Sequence, residues 1–295
     1  SDLGLNTTVF DSLSEVGGQP QILYPFKQIN DIPAYHSISG ADLIKKLKQD
    51  AENETEIITN HKVENIVKTD EGFIIDDLIL SRSIIIATGA GAFKPKELPL
   101  KMSDEIKERV HYFVKDPAQF KNQTIGIFGG GDSALDLALE VAKYANIKLI
   151  HRRDQFRGLE SNVQKLKSLK NVEILTPYLP KKIELTNNQL DISLKQMGSD
   201  QLRNERFDQI IVAYGFRANN RFAKKWGVNL EGSNISVDQT MKTNVDGIYA
   251  AGDVVTYPGR VPLIVLGFGE AQIAITAIMR DLFPEKTLTI HSTSI

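Results

Sequence analysis

Gly129-Gly130-Gly131-Asp132-Ser133-Ala134 fits a Gly-x-Gly-x-x-Ala pattern, and the residues on either side give that pattern a chemistry. Ahead of it, Thr124-Ile125-Gly126-Ile127-Phe128 reads as a buried strand. Behind it, Leu135, Leu137, Ala138, Leu139, Val141 and Ala142 mark one face of a helix, and Ile147-Lys148-Leu149-Ile150 resumes as a strand. In such a unit the first glycine permits the tight turn, the second lets a pyrophosphate approach the backbone, and the alanine lets helix and strand touch, while helix N–H groups face the phosphate. At a distance of 22 positions from Gly129, where a site for NAD places an acidic residue, stand His151-Arg152-Arg153, followed by Arg157. A carboxylate there would accept from a ribose 2′-hydroxyl and repel a 2′-phosphate, whereas guanidinium groups pair with that phosphate through charge-assisted hydrogen bonds. This predicts NADPH over NADH. The bland alternative is a tight turn followed by a solvated basic loop.

A second set of residues closes other apolar strands. Val9-Phe10-Asp11 ends in an acid, as a strand gripping a ribose hydroxyl does. Gly247-Ile248-Tyr249 leads into Ala250-Ala251-Gly252-Asp253-Val254, where Gly252 lets backbone come close to a ligand and Asp253 can meet its hydroxyls. On its own this is a strand-end turn. Gly267-Phe268-Gly269-Glu270-Ala271 is expected to open a helix running through Leu282, whose start offers N–H donors to an electron-rich ring edge.

The elements that must position these residues repeat. Ser83-Ile84-Ile85-Ile86-Ala87-Thr88-Gly89 echoes Gln209-Ile210-Ile211-Val212-Ala213-Tyr214-Gly215, which implies two related domains. Gly129 precedes Gly215 by 86 positions, and the same step back from Gly89 lands on residue 3, where no glycine loop stands. Counting back from Asp11 agrees, so a first strand, glycine loop and helix of about 25–30 residues are expected ahead of this sequence. Further strands are expected at 172–175, 182–185, 190–195 and 208–213.

Composition bounds the rest. A chain of 295 residues with 41% hydrophobic and 24% charged residues has room for two domains with their own cores. A net charge of −2 without a long basic run gives no footprint for nucleic acid or an anionic membrane. The absence of cysteine removes thiolate metal sites, iron–sulfur ligation and any Cys-x-x-Cys relay, so redox chemistry would need a bound cofactor. The five histidines lack metal-binding spacing, no metal site is expected, and no apolar run is long enough to span a membrane. A cytoplasmic enzyme is the default.

Asp11 with Gly17-Gly18-Gln19, Ala87-Thr88-Gly89, the glycine loop with His-Arg-Arg, and Ala251-Gly252-Asp253-Val254 occur in an order that resembles the two-dinucleotide-domain flavoprotein reductases. Among them the chain is similar to the ferredoxin/flavodoxin–NADP reductases of the thioredoxin-reductase-like type. The resemblance implies an α/β fold of two Rossmann-like three-layer domains: an FAD-binding domain at 1–114 and 215–295, interrupted by an NADPH-binding domain at 115–214. Short linkers at 115–117 and 215–217 imply hinge rotation. It implies FAD on Asp11, Gly18, Gln19, Tyr24, Thr88, Gly89, Gly252 and Asp253, with Tyr24 stacked on the isoalloxazine and His291 covering the other face from a partner subunit in a homodimer. Alone, Tyr24 reads as packing and His291 as a frayed terminus. The implied activity is electron transfer from NADPH through FAD to ferredoxin or flavodoxin; the alternatives are an NADPH:quinone, flavin or nitro-compound reductase and a flavin-free NADPH-binding regulator.

Overall fold

The computed structural model describes residues 4–91, 94–217 and 219–286. His291 and the C-terminal tail lie outside the described residues. The chain divides into two compact units: Ser1–Gln21, Gln28–Phe93 and Ala218–Ile295 form one, and Ile22–Lys27 and Lys94–Arg217 form the other.

The second unit is built on a five-stranded parallel sheet in the order Val110–His111, Gln209–Val212, Thr124–Phe128, Asn146–Ile150, Val172–Leu175. Its central strand is TIGIF, apolar at almost every position because both faces are covered. Ile125, Ile127 and Phe128 are fully buried, the first two packing with Leu135, Ala138 and Val141 of the helix Asp132–Val141. The chain leaves the central strand toward Asn146–Ile150 on one side, while Gln209–Val212 lies on the other. The glycine turn therefore sits where the strand order reverses, the place at which open α/β sheets bind ligands. Residues 94–114 pack in this unit, because Val110 and His111 pair in parallel with Ile210 and Ile211. An antiparallel meander, Tyr178–Thr186, Gln189–Gln196 and Leu202–Phe207, completes the unit.

Among the described residues the first unit holds three parallel strand pairs, Thr8–Phe10 with Glu56–Ile58, Ile84–Ile86 with Ile248–Ala250, and Asn234–Ser236 with Val255–Thr256. The helix Gly40–Glu54, capped by the Ser39 hydroxyl on Asp42 N, leads into Glu56–Ile58. Tyr249, Ala250 and Val254 pack with Ala274 and Ile278 of the helix Ile264–Leu282. That helix begins three residues before the expected Gly267. Val261-Pro262-Leu263 sets the start, since proline belongs just ahead of a helix or in its first turn. Gly267 instead serves packing: a Cβ there would stand 3.4 Å from the Gly252 Cα.

Candidate functional site

In the second unit the glycine turn is fixed by its neighbours. A Cβ on Gly129 would lie 2.6 Å from the Ala213 carbonyl oxygen and 2.7 Å from the Ala134 Cβ, so this close helix–strand approach needs both small residues. Gly130 has a different reason to be glycine: its Cβ would fall 2.3 Å from the His151 ring. The ring fills the space over the middle glycine, stacked on Phe156 with centroids 5.2 Å apart. Open space remains at Gly131, the N-cap of the helix, which has no atom within 4 Å of its would-be Cβ.

The loop after the second strand folds back onto this turn. Arg157 N donates to Gly130 O at 2.8 Å, and Leu159 N donates to the Asp132 carboxylate at 2.8 Å. Asp132 therefore braces the loop, while Ser133 is exposed beside it. Arg152, Arg153 and Arg157 are exposed and form no ion pair among the described residues. The His151 Nε2 is buried without a hydrogen-bond partner. Burial holds its imidazole below the ordinary 6.5, and Arg152, Arg157 and Arg153 push the same way, against a bond with the Gln155 backbone. Neutral at pH 7, the ring offers a polar nitrogen to whatever enters. An orphaned buried nitrogen, three free guanidinium groups and an open helix N-terminus fit a phosphorylated dinucleotide, with the guanidinium groups able to take the 2′-phosphate.

The first unit gathers the other predicted residues except Tyr24 and His291. Asp11 ends its strand as expected, its N–H donating to Ile58 O at 2.9 Å and its carboxylate accepting from Leu13 N at 2.9 Å. Gly18, with φ +55, begins the short helix Gly18–Ile22 that carries Gln19. The Gln19 amide reaches to 3.8 Å of the would-be Cβ of Gly89. The Thr88 hydroxyl donates to the Asn220 Oδ1 at 3.2 Å, and the Asn220 amide donates to Ser233 O at 3.1 Å. Asn220, 1% exposed, thus staples the turn after the strand Ile84–Ile86.

Gly252 turns at φ +80 with open space around it, and its N–H donates to the Glu270 carboxylate at 2.7 Å. Arg260 bonds both Glu270 and Asp253. Burial raises the Tyr257 phenol, and its hydrogen bond to Glu270 adds to that shift. The second Asp253 oxygen has no partner among the described residues and suits a hydroxyl donor such as those of a flavin's ribityl chain. Tyr24 falls in the second unit, in the segment Ile22–Lys27, where the Lys27 ammonium lies 5.9 Å from the ring centroid.

Sequence reasoning missed Asn220, Arg260 and the role of Glu270. The first two carry no local signal. Glu270 does: it is the sole charged residue between Arg260 and Arg280. Among the described residues no group of His, Asp and Glu could hold a metal, and no helix is long and apolar enough to cross a membrane.

The model of the pyridine nucleotide-disulphide oxidoreductase family matches residues 6–277. A ferredoxin–NADP reductase of Lactobacillus acidophilus is 85% identical over 292 residues, covering 99% of this chain and 94% of that protein. One of Lactobacillus helveticus is 74% identical over the same shares. Among solved structures, thioredoxin reductase of T. acidophilum superposes with a TM-score of 0.80 at 25% identity, covering 95% of this chain and 92% of that one. Thioredoxin reductase of Lactococcus lactis gives 0.77 at 26%, covering 94% and 90%. The chain belongs to the pyridine nucleotide-disulphide oxidoreductase family and, within it, to the ferredoxin–NADP reductase type with a thioredoxin-reductase-like fold.

Proposed function

We propose that this protein is an NADPH-dependent flavoprotein reductase that passes electrons to ferredoxin, with flavodoxin as a second carrier, acting as a cytoplasmic homodimer. FAD and NADPH are its cofactors. The observation that carries the reading is the cationic loop at the glycine turn: Arg152, Arg153 and Arg157 stand free beside an orphaned His151 nitrogen, in a sequence that contains no cysteine. A dithiol relay is therefore unavailable, and electrons must leave from a bound cofactor. When bound, FAD supplies the means of taking the nicotinamide's hydride and releasing its electron pair one electron at a time.

The residues do the rest. Gly129 and Ala134 keep the turn tight, Gly131 leaves room for the pyrophosphate of NADPH at the helix N-terminus, and Asp132 holds the loop carrying the arginines. Arg152, Arg153 and Arg157 select the 2′-phosphate. In the first unit, Asp11, Gly18, Gln19, Thr88, Gly89, Gly252 and Asp253 hold the adenosine and ribityl ends of FAD. Tyr24 and His291 flank the flavin ring, as the family resemblance implies. No side chain has to act as acid or base for the hydride step.

The test is anaerobic addition of NADPH to the FAD-loaded protein, followed by oxidised ferredoxin. Bleaching of the flavin's visible band and its return with ferredoxin are expected; an inert flavin overturns the reading. Turnover with quinones but none with ferredoxin or flavodoxin would point to the small-acceptor reductase instead. Sedimentation velocity checks the dimer.

A further inference from the structure

The first unit contains a charge network that the cofactor reading leaves without a role. Glu270, 1% exposed, is set in the second turn of the helix Ile264–Leu282 among apolar residues. A carboxylate removed from water is tolerated only if its lone pairs are met. Here Gly252 N donates at 2.7 Å, the Tyr257 hydroxyl at 2.8 Å and Arg260 Nε at 2.9 Å. The Arg260 side chain is itself 8% exposed, yet its Nη2 reaches outward to the Asp253 Oδ1 at 3.2 Å, and the Asp253 side chain is 52% exposed.

One buried carboxylate thereby fixes the Gly252–Asp253 turn twice. It holds the backbone through the Gly252 N–H and the side chain through Arg260. The guanidinium is a rigid planar fork, so seating its Nε on Glu270 also sets the direction from which Nη2 meets Asp253. A half-exposed ion pair of this kind adds little to folding stability. Its consequence is expected instead in the one conformation of Asp253 that it selects, and a group held in its bound conformation before the ligand arrives binds with less ordering cost.

We propose that Arg260, anchored on Glu270, is a positioning residue that presets the Asp253 carboxylate for the ribityl hydroxyls of FAD. The proposal rests on the reading of the first unit as the FAD-binding one.

A double-mutant cycle on the dissociation constant of FAD, followed by recovery of flavin fluorescence from the FAD-loaded protein, tests it. Asp253→Asn in the otherwise unaltered protein weakens FAD by about tenfold. In an Arg260→Gln/Glu270→Gln background, where a neutral hydrogen-bonding pair replaces the ionic one, the same substitution costs less than about twofold, because the carboxylate is no longer held in place. Arg260→Lys keeps the charge but loses the fork, and shifts both FAD affinity and the fine structure of the flavin's visible band while the melting temperature of the flavin-free protein stays within about 2 °C. If the paired variant does not fold, the cycle between Asp253→Asn and Arg260→Lys carries the same test. Additive effects, with FAD bound normally by the unaltered protein, overturn the positioning role alone. Failure of the unaltered protein to take up FAD overturns the cofactor reading beneath it.

Discussion

The two units solve the same problem, holding a turn at the end of a parallel strand, with opposite uses of charge. Around Gly129 the frame is backbone and small side chains: the Ala213 carbonyl, the Ala134 methyl and the ring of His151 occupy the spaces a larger residue would need. The charged groups, Arg152, Arg153 and Arg157, stay exposed outside that frame and form no ion pair among the described residues. Around Gly252 the order is reversed. There the charges are the frame, with Glu270 and Arg260 buried and bonded, while the glycine faces open space. Charges left free are available to recognise a ligand, and charges bonded to each other are available to hold a shape.

Removing Glu270 should give the largest effect if this contrast holds. Glu270→Ala strands the buried Arg260 and Gly252 N–H, and a loss of about 3–5 kcal/mol in urea unfolding is expected. A loss below about 1 kcal/mol would mean that the network does not hold the first unit together.

The arginines of the second unit should behave in the other way. Arg152→Ala/Arg153→Ala leaves stability within about 0.5 kcal/mol, since both side chains are exposed and neither has an ion-pair partner among the described residues. The KM for NADPH rises about 100-fold while that for NADH changes by less than about threefold. Equal effects on the two coenzymes would reject these arginines as the 2′-phosphate site.

The smallest effect concerns His151. Its pKa in the folded protein lies below the ordinary 6.5, chiefly through burial, so the unfolded chain binds the proton more readily. Its contribution is therefore complete above pH 6.5 and is lost as pH falls below that value toward the folded pKa. Urea midpoints measured from neutral pH down to about pH 5 should fall more steeply for the unaltered protein than for His151→Asn. Saturating NADP⁺ should flatten the slope, because a phosphate beside the ring favours its protonated form. Identical slopes with and without His151 would remove it from the account.

Much of the second unit was legible beforehand because its signals are local. Thr124–Phe128 and Val172–Leu175 form at the expected residues, and Asn146–Ile150 differs by one at its start. A continuous apolar run between a turn and a helix has few other solutions. The strand Leu202–Phe207 escaped notice, since LRNERF has the look of a solvated loop. Its inward Glu205 is neutralised by Lys148 and Arg203, which arrive from the neighbouring sheet and from its own strand. Asn220 is illegible for the same reason, since its buried amide is explained by Thr88, 132 residues away, whereas Arg260 meets Asp253 and Glu270 within 10 residues and only the fold of that turn brings them together. The linker at 115–117 suggests a boundary that leaves residues 94–114 in the first domain, whereas the pairing of Val110 with Ile210, a long-range fact, holds them in the second unit.

The crowding at Gly129 has an evolutionary side. Because the Ala213 carbonyl, not a ligand, forbids a side chain there, that glycine is demanded by the scaffold whichever coenzyme is used. Arg152 and Arg153 answer to no such demand. Selection or a protein engineer can therefore exchange one nicotinamide carrier for the other by rewriting the loop after Ile150, while the turn before it is inherited unchanged.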